Sequence, residues 1–414
     1  MRRALYAGGA TLAAPGLRWW LNSRARAGKE RPDRLAERRG IETTPRPAGQ
    51  LLWLHAASVG EATSVLPVVA SLARMSPDTT MLLTTGTVTS ATLLEARLPA
   101  MGVRALHRFA PLDVPAWAAR FLDHWRPDAA AFVESEIWPN QLAACAARAI
   151  PVMLVNARLS TRSLARWQFM GRAGRAVFAG FTAAQAQSEE DAARLRAVGL
   201  RDIAPIGNLK FAAPPLPVDL AELHRLETLL GDRPRWLAAS THPGEEPIIL
   251  AAHAQLRPHF PGLLTIIVPR HPSRGSEIGQ LARRAANQDP PADAGIWIGD
   301  TLGELGLYYR LASHAFIGAS LVPKGGQSPI EAARLGRPTA IGPHASNQRQ
   351  SVELLQQAGA LAPVTDAASL AAWSASMLRD PAARQRAAEA GIAAVDRAAD
   401  LPDQVAARLL DLAR

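Results

Sequence analysis

Glu61 is the residue whose type and position best suit acid–base chemistry. It ends the segment HAASVGE, residues 55–61, which lies between an apolar pentapeptide and a stretch with apolar residues at helical spacing. The dipole of a helix keeps a carboxylate in its first turn ionised, as a general base requires. Ser58 and Gly60 precede it, and Ser-x-x-Glu is also a common helix cap. The pattern leaves both interpretations open.

Two more acidic residues, Glu134 and Glu136, directly follow a later apolar run. Carboxylates this close together are costly without a cationic partner, and Lys210, after another run, is a candidate. The group is either a structural ion pair or catalytic machinery. Arg158 adds a cation that could bind a phosphate group of an acceptor substrate. Alternatively, its segment only starts a helix that Ser160 caps. We class these residues as acceptor-binding or structural: Ser58, Gly60, Glu134, Glu136, Arg158 and Lys210.

The second half of the chain carries cations and glycines in the corresponding places. Hydroxyls and backbone N–H groups at a helix start form an anion site, and an adjacent arginine and histidines add positive charge. Glycines let a backbone approach a phosphate closely, and a carboxylate one turn into the next helix can reach a ribose diol. The predicted nucleotide site comprises Thr241, His242, Arg270, His271, Lys324, Gly325, Gly326, Gln327, Ser328 and Glu331.

The elements that must position these residues are apolar strands alternating with amphipathic helices. This alternation predicts α/β architecture with two doubly wound parallel sheets, in which ligands bind beyond the carboxyl ends of the strands. The proline-rich break at residues 212–217 separates the two halves. The predicted strands are Leu51–His55, Met81–Thr85, Ala129–Val133, Val152–Val155 and Ile203–Ile206, then Trp236–Ala239, Leu264–Val268, Ile296–Ile298, His314–Ile317 and Thr339–Ile341.

Composition and charge limit the classes of protein. A chain of 414 residues exceeds what one core usually supports, so two domains are expected. The lone Cys145 excludes an intramolecular disulfide and a cysteine-based zinc site, and its alanine-rich helical context favours buried packing. The net charge is +10, and residues 1–40 hold ten basic against three acidic residues, so most of the excess lies in this leader.

The leader is apolar from residue 4 to 17, and Trp19 and Trp20 adjoin its basic cluster. The apolar stretch falls short of the roughly 20 residues of a confident span. It favours an interfacial anchor or a marginal span with its basic flank in the cytoplasm. A solvated basic leader and a secretory signal peptide are the less favoured alternatives. The expected organisation is a membrane anchor at 1–40, an acceptor domain at 41–211, a linker at 212–220, a donor domain at 221–398, and a terminal helix at 399–414 that packs back on the acceptor domain.

The order and spacing of these motifs resemble the bacterial 3-deoxy-D-manno-octulosonic acid (Kdo) transferases of lipopolysaccharide biosynthesis, over nearly the whole chain. The resemblance implies a GT-B fold, two Rossmann-like domains facing a central cleft, and inverting transfer from CMP-Kdo to a lipid A precursor (lipid IVA). It places Glu61 as the catalytic base and Glu331 on the cytidine ribose. It also implies an N-terminal anchor on the anionic cytoplasmic face of the inner membrane, with no metal and no cofactor. The blocks that carry it are His55–Glu61, Glu134–Asn140, Asn156–Ser160, Gly207–Phe211, Ser240–Glu246, Pro269–Pro272, Gly299–Leu305, Ser320–Glu331 and Gly342–His344.

The chain departs from the family pattern at five positions. Gln327 and Ser328 stand where the family usually has His-Asn, while Ala319, Ala332 and Ala212 replace a Gly, a Pro and an Asp. Gln and Ser hydrogen-bond phosphate or sugar but carry no imidazolium charge, so donor affinity and identity are the properties in question.

Two rival functions follow from the same residues. One is another GT-B nucleotide-sugar transferase or epimerase, and the other is a non-catalytic membrane adaptor. The presence of Glu61 and of the glycine loop disfavours the adaptor. Nucleic-acid binding has little support, because the charge adjoins an apolar leader and no nucleic-acid-reading motif occurs.

Overall fold

The computed structural model describes residues 2–212, 214–290, 292 and 295–414. Met1 and the side chains of Arg2 and Arg3, in the predicted anchor, lie outside the described part, as does Ala213 of the predicted linker. So do Pro291, Asp293 and Ala294 of the predicted donor domain. The chain forms two compact units: unit 1 is Met1–Ala213 with Ala398–Arg414, and unit 2 is Pro214–Arg397.

Unit 1 is built on one parallel sheet of seven strands. Its elements are α1 Arg2–Arg26, β1 Leu51–His55, α2 Val59–Met75, β2 Thr80–Thr85, α3 Val88–Ala100, β3 Ala105–Phe109, α4 Pro115–Trp125, β4 Ala129–Val133, α5 Pro139–Ala146, β5 Val152–Ala157, α6 Thr161–Phe169, α7 Arg172–Phe178, β6 Ala183–Ala186, α8 Glu189–Ala197 and β7 Ile203–Ile206. The strand order is β3-β2-β1-β4-β5-β6-β7, so the order reverses between β1 and β4. Ligands of doubly wound sheets bind at this reversal, the switch point.

The strands of this sheet are apolar along most of their length because helices cover both faces of the sheet. All five residues of β1 are buried. Trp53, Phe132 and Phe178 belong to one hydrophobic cluster, while Leu54 and Val65 belong to another. Cys145 is buried in the first cluster, and burial raises the pKa of its thiol to about 12, as expected for a packing residue.

Unit 2 repeats the same plan with shorter strands. Its elements are α9 Leu220–Leu230, β8 Arg235–Thr241, α10 Glu246–Leu256, β9 Leu264–Pro269, β10 Ala282–Arg283, β11 Ile296–Ile298, α11 Leu305–Leu311, β12 Ala315–Ile317, α12 Ile330–Arg334, β13 Thr339–Ile341, α13 Arg349–Gln357, β14 Leu361–Pro363, α14 Ala367–Arg379 and α15 Pro381–Asp396. The order β10-β11-β9-β8-β12-β13-β14 reverses between β8 and β12.

The chain returns to unit 1 through a final helix, α16 (Leu401–Leu412). Its buried residues Val405 and Leu409 share a hydrophobic cluster with Val65 and Val69 of α2. The Ser71 hydroxyl on α2 donates to Asp403 of α16, at 2.5 Å from the carboxylate oxygen. The last helix thus completes the cover over one face of the first sheet.

The doubly wound parallel α/β class predicted from the sequence is confirmed. All ten predicted strands are present, with ends displaced by at most two residues. The four strands that the pattern missed, β3, β6, β10 and β14, lack a continuous β-branched or aromatic run. β6 reads Ala-Ala-Gln-Ala and β10 has two residues, so β-propensity gives no signal and burial in the sheet decides.

The leader is mostly one long helix, α1, which packs on unit 1. Buried Leu21, with Ala14 and Leu17 beside it, contacts Val114 and Trp117 around the start of α4. Among residues 2–212, 214–290, 292 and 295–414, no helix combines the length and apolarity needed to cross a bilayer.

The other face of α1 is exposed and apolar. Leu5, Leu12 and Trp19 lie seven residues apart, which places them along one side of a helix, and they are 67%, 85% and 71% exposed. Nearer the amino end, the Tyr6 hydroxyl donates to the Asp113 carboxylate at 3.0 Å. This contact ties the helix to the loop that follows β3.

Candidate functional site

Glu61 lies at the switch point of unit 1, in the first turn of α2 directly after β1. The Ser58 hydroxyl donates to one Glu61 oxygen at 2.8 Å, and the Ala57 N–H donates to the other at 2.7 Å. The Glu61 N–H in turn donates to the Ser58 hydroxyl at 3.3 Å. Glu61 therefore does cap the helix, yet each carboxylate oxygen accepts only one of these bonds and keeps a lone pair for a substrate proton.

The environment of Glu61 makes it a stronger base than an ordinary glutamate. Burial is the main cause that raises its pKa, and the hydrogen bond from Ser58 opposes it. The negative charge of Glu136 raises the pKa further, the Ala57 N–H lowers it, and Glu134 adds a smaller upward effect. A raised carboxylate pKa in a half-buried site is typical of groups that take up protons in catalysis.

Glu136 behaves in the opposite way, although it is close enough to influence Glu61. The His55 Nε2 lies 3.3 Å from a Glu136 oxygen, and the Trp138 indole N–H donates to the same oxygen at 2.7 Å. Burial alone would raise the Glu136 pKa, but the hydrogen bond and charge of His55, with the Trp138 bond, lower it overall. Glu136 is therefore a stable anion held by unit 1 itself.

Glu134 is paired as well. The Lys210 Nζ lies 2.6 Å from a Glu134 oxygen, so these residues of the sequence motif form an ion pair. Arg158 is exposed after β5 and is joined to the same edge through its backbone, whose carbonyl accepts from the Ser135 hydroxyl at 2.8 Å. Ser160 caps α6 by accepting the Ser163 N–H at 3.2 Å.

Asp113 organises this edge and was not singled out from the sequence. It accepts the backbone N–H groups of Asn140 and Gln141, at 3.2 and 2.9 Å, as well as the Tyr6 hydroxyl. It therefore fixes the start of α5 and the leader helix at once. Its partners lie 27 residues or more away in the chain, and the strand before it was itself missed, so no local pattern could reveal it.

In unit 2 the predicted donor residues lie at the corresponding switch point, around β8 and β12. Thr241 ends β8 and is fully buried, and its hydroxyl donates to Glu246 at 2.9 Å. The Arg274 guanidinium donates to the same Glu246 oxygen at 2.7 Å. The Thr241 hydroxyl therefore has a protein partner already, and this residue shapes the turn from within.

The two histidines of the donor motif lie near each other. The rings of His242 and His271 are 6.4 Å apart, centroid to centroid. Arg270 and Glu331 also influence each other: burial raises the Glu331 pKa overall, while the Arg270 charge partly opposes it. Arg270 and Lys324 are exposed, and within the described part of the chain neither forms an ion pair. Together they offer two uncommitted cations and two imidazoles that could hold a phosphate.

The glycine loop after β12 has a tightly constrained backbone. Gly325 and Gly326 adopt φ of +93° and +79°, a region that favours glycine. A Cβ on Gly325 would overlap the Asn347 side chain. Ala319 has φ +59°, so the position where the family usually has glycine keeps a left-handed backbone in this chain. Gln327 and Ser328 are half-buried and follow these glycines.

A buried carboxylate, Glu245, clamps this loop, and its role was missed. It is fully buried and accepts four backbone N–H groups, those of His242, Ala319, Ser320 and Leu321, at 2.7–2.9 Å. Four donors match the lone pairs of one carboxylate. The His242 N–H, which the sequence suggested as an anion donor, is thus used internally. The adjacent pair Glu245-Glu246 at a helix start was the signal available.

No metal centre stands out near either edge. Within residues 2–212, 214–290, 292 and 295–414, no three His, Cys, Asp or Glu side chains gather as metal ligands would. The groups suited to anions are Arg270, Lys324 and the two histidines, and the group suited to proton transfer is Glu61.

Comparison with known proteins gives consistent relatives. Residues 33–213 match the family model described as 3-Deoxy-D-manno-octulosonic-acid transferase (kdotransferase). The probable mitochondrial 3-deoxy-D-manno-octulosonic acid transferase of Arabidopsis thaliana is 35% identical over 376 residues, covering 87% of this chain and 83% of the relative. The Haemophilus influenzae enzyme of that name is 33% identical over 373 residues, covering 86% of each chain. The Bordetella pertussis one is 34% identical over 360 residues, covering 84% and 83%.

Solved structures with the same fold include UDP-GlcNAc 2-epimerase of Neisseria meningitidis bound to UDP-GlcNAc, at 15% identity and TM-score 0.61, covering 88% of this chain and all of that one. A glycosyltransferase of Rickettsia africae has 14% identity and TM-score 0.57, covering 88% and 99%. The C-terminal CMP-Kdo binding domain of WaaA from Acinetobacter baumannii has 30% identity and TM-score 0.41, covering 43% and 97%. The similarity to the epimerase and to the Rickettsia africae glycosyltransferase shows a GT-B fold.

Proposed function

The chain belongs to the Kdo transferase family of lipopolysaccharide biosynthesis, and from this premise we propose that it moves Kdo from CMP-Kdo to the lipid A precursor lipid IVA, inverting the anomeric configuration. The observation that carries the mechanism is Glu61, a half-buried carboxylate of raised pKa at the switch point of unit 1. Its neighbours Glu134 and Glu136 have partners of their own, so Glu61 is the carboxylate available to accept a proton.

The proposed step balances without a further reagent. Glu61 takes the proton of an acceptor hydroxyl, whose oxygen forms a bond to the anomeric carbon of Kdo. The bond from that carbon to the phosphate oxygen breaks, and CMP leaves with the electron pair. Arg270 and Lys324, both uncommitted, stabilise the negative charge on the leaving phosphate, so the proposal includes no metal ion. Glu331 accepts hydrogen bonds from the cytidine ribose.

We further propose that α1 holds the enzyme on the cytoplasmic face of the inner membrane. The stripe Leu5, Leu12 and Trp19 faces solvent, and Arg18 and Arg26 add exposed positive charge. An exposed apolar stripe beside basic residues suits insertion among headgroups, and each basic residue near an anionic leaflet contributes about 1 kcal/mol. The Tyr6–Asp113 contact would then keep the acceptor edge of unit 1 close to that leaflet.

Mass spectrometry of products tests the reaction. Purified full-length protein is incubated with CMP-Kdo and lipid IVA, and in parallel with UDP-sugar donors. We expect the acceptor to gain the mass of one or more Kdo residues, with inverted configuration by NMR, and CMP but not UDP to compete. Failure to add Kdo, or turnover of a uridine donor instead, would overturn the proposal.

Vesicle flotation tests the membrane contact. We expect the chain to float with vesicles that contain anionic phospholipid and to float poorly with zwitterionic ones. The double variant Leu12→Asp/Trp19→Asp should lose most of this binding. Leu302→Asp is the matched control, since Leu302 is 81% exposed and lies in unit 2. Equal flotation of all three proteins would show that α1 is not the contact.

A further inference from the structure

A cavity of about 390 Å³ opens at the amino-terminal edge of the unit 2 sheet. Arg235 begins β8 at this edge, and Arg310 and Arg337 lie just before β12 and β13 respectively. Thr241, at the other end of β8, lies at the carboxyl-terminal edge of the sheet, which carries the predicted donor residues and is called the donor edge below. Six residues of strand separate the two ends by roughly 20 Å. The cavity is therefore remote from the predicted donor residues of unit 2.

Guanidinium groups dominate the cavity lining. Five arginines line it: Arg233, Arg235, Arg310, Arg337 and Arg384. Arg233 donates to the Gly262 carbonyl, and within the described residues none of the other four has a carboxylate within ion-pair distance. The one acidic lining residue is Asp232, which is exposed. Neighbouring guanidinium groups repel one another. Their repulsion destabilises the folded state unless an anion binds between them.

Backbone carbonyls account for the positions of three of these arginines. Arg235 donates to the carbonyls of Leu311 and Gly231 at 2.6 and 2.7 Å, at the ends of α11 and α9. Arg384 donates to Met377 at 2.7 Å in the last turn of α14, and Arg310 donates to Leu216 at 2.9 Å. Cations at helix ends are favourable, so these side chains are fixed in place without any ligand.

Arg337 has no such explanation. Its Nε is buried without a hydrogen-bond partner, and within the described chain no side-chain hydrogen bond or ion pair holds its guanidinium. Burial lowers its pKa, and the charges of Arg310, Arg384 and Arg235 lower it further, while Glu227 alone opposes them. Arg235 is half-buried, and burial lowers its pKa while the charges of Glu227 and Asp232 oppose that effect. Glu227 and Asp232 thus offset this positive charge only in part, and within the described chain no carboxylate forms an ion pair with these four arginines.

We propose that this cavity is a binding site for a small phosphorylated anion, with Arg337 as its central ligand and Arg235, Arg310 and Arg384 around it. Planar guanidinium forks match phosphate oxygens in pairs, and several of them favour a multivalent anion over a singly charged one. The cavity volume lies within the range of small-molecule sites. The site does not depend on the proposed transfer reaction, because its residues are separate from the donor edge.

Calorimetric titration of the full chain with inorganic diphosphate tests the site. We expect saturable binding by the wild type and at least about tenfold weaker binding by Arg337→Gln and Arg384→Gln, since each removes a charged hydrogen bond. Arg386→Gln is the matched control: Arg386 lies on the same helix, two residues from Arg384, but is exposed outside the cavity. Its affinity should equal that of the wild type.

Thermal melting separates a site from a folding defect. Without diphosphate, Arg337→Gln should melt at the same or a higher temperature than the wild type, because repulsion is relieved. Diphosphate at a concentration that saturates the wild type should raise its melting temperature by several degrees and raise that of Arg337→Gln by clearly less. Absence of binding by the wild type would overturn the proposal. So would binding that Arg270→Gln abolishes and Arg337→Gln does not, because the anion would then lie at the donor edge.

Discussion

The carboxyl-terminal edges of the two sheets both contain a reversal of strand order, but their charged side chains are partnered differently. In unit 1 the edge carries carboxylates that the protein itself satisfies, by Lys210 for Glu134 and by His55 for Glu136. In unit 2 the edge carries Arg270 and Lys324, which have no ion-pair partner in the described part of the chain. Charged side chains that are paired within the protein shift the pKa of neighbouring groups, whereas charged side chains without an ion-pair partner are available to bind a ligand.

A second contrast concerns how each edge is held rigid. Both use one buried carboxylate that accepts backbone N–H groups, Asp113 in unit 1 and Glu245 in unit 2. Asp113 clamps a helix start and also holds Tyr6 of the leader. Glu245 joins two loops of the same edge and leaves both cations alone. The edge of unit 1 is thus coupled to the proposed membrane helix, whereas the edge of unit 2 is held in place by Glu245 within the unit itself.

The largest expected effect comes from Glu61→Gln. Glutamine retains the capping geometry but cannot take a proton, so the variant separates the two interpretations of the Ser-x-x-Glu pattern. We expect kcat to fall by about 10²–10⁴-fold, with CMP-Kdo affinity and melting temperature close to those of the wild type. Steady-state kinetics, calorimetry and thermal melting measure these three quantities.

Asp191→Asn is the matched control for that experiment. Asp191 accepts the Ser188 hydroxyl at 2.9 Å and caps α8 with the same reciprocal geometry, but it is not a carboxylate of the switch point. Its kcat should stay near the wild-type value. If Glu61→Gln keeps full activity, Glu61 is only a cap and the proposed mechanism is wrong.

Sequence reasoning succeeded where the signal is local. Glu61 could be placed at a helix start because apolar residues recur at helical spacing after it. Long strands such as β1 and β4 were found because they are apolar throughout. These features depend on neighbours in the chain, and those neighbours are visible in one sequence.

The residues that were missed depend on distant partners. Glu245 binds N–H groups 74–76 residues further on, which no periodicity encodes. No local sequence pattern marks Arg337 or Arg384, and only the fold places them in one cavity. For Thr241, the sequence predicted the position at the end of the strand. It did not predict that the hydroxyl donates to Glu246 instead of facing a ligand.

The next effect sharpens the contrast between open and neutralised cations. We expect Arg270→Gln to weaken CMP-Kdo binding by about 10–100-fold, because it removes a charged hydrogen bond, and to leave the melting temperature unchanged. Lys210→Gln should do the reverse. It leaves Glu134 unpaired and costs at most about 1 kcal/mol of folding free energy, since Lys210 is half-exposed, with no loss of donor affinity. Equal effects of the two variants on donor affinity would remove the distinction between the edges.

The smallest effect concerns pH and the coupling between Glu61 and Glu136. The raised pKa of Glu61 places the acid limb of kcat/KM above the ordinary glutamate value of 4.5, and activity should fall as the pH drops through it. Glu136→Gln removes a negative charge that raises this pKa, so the acid limb should move to lower pH.

Folding stability gives an independent check with opposite signs for the two carboxylates. Ionising Glu61 costs stability as the pH rises from 4.5 through its raised pKa, because the folded state holds that proton more tightly than the unfolded chain. Glu136 has a lowered pKa, so it adds stability that is present above 4.5 and lost as the pH falls through its folded value. Denaturant titrations across this range should show Glu61→Gln losing the first dependence and Glu136→Gln the second. An acid limb that stays in place in Glu136→Gln would mean that the two carboxylates do not interact, and that burial alone sets the basicity of Glu61.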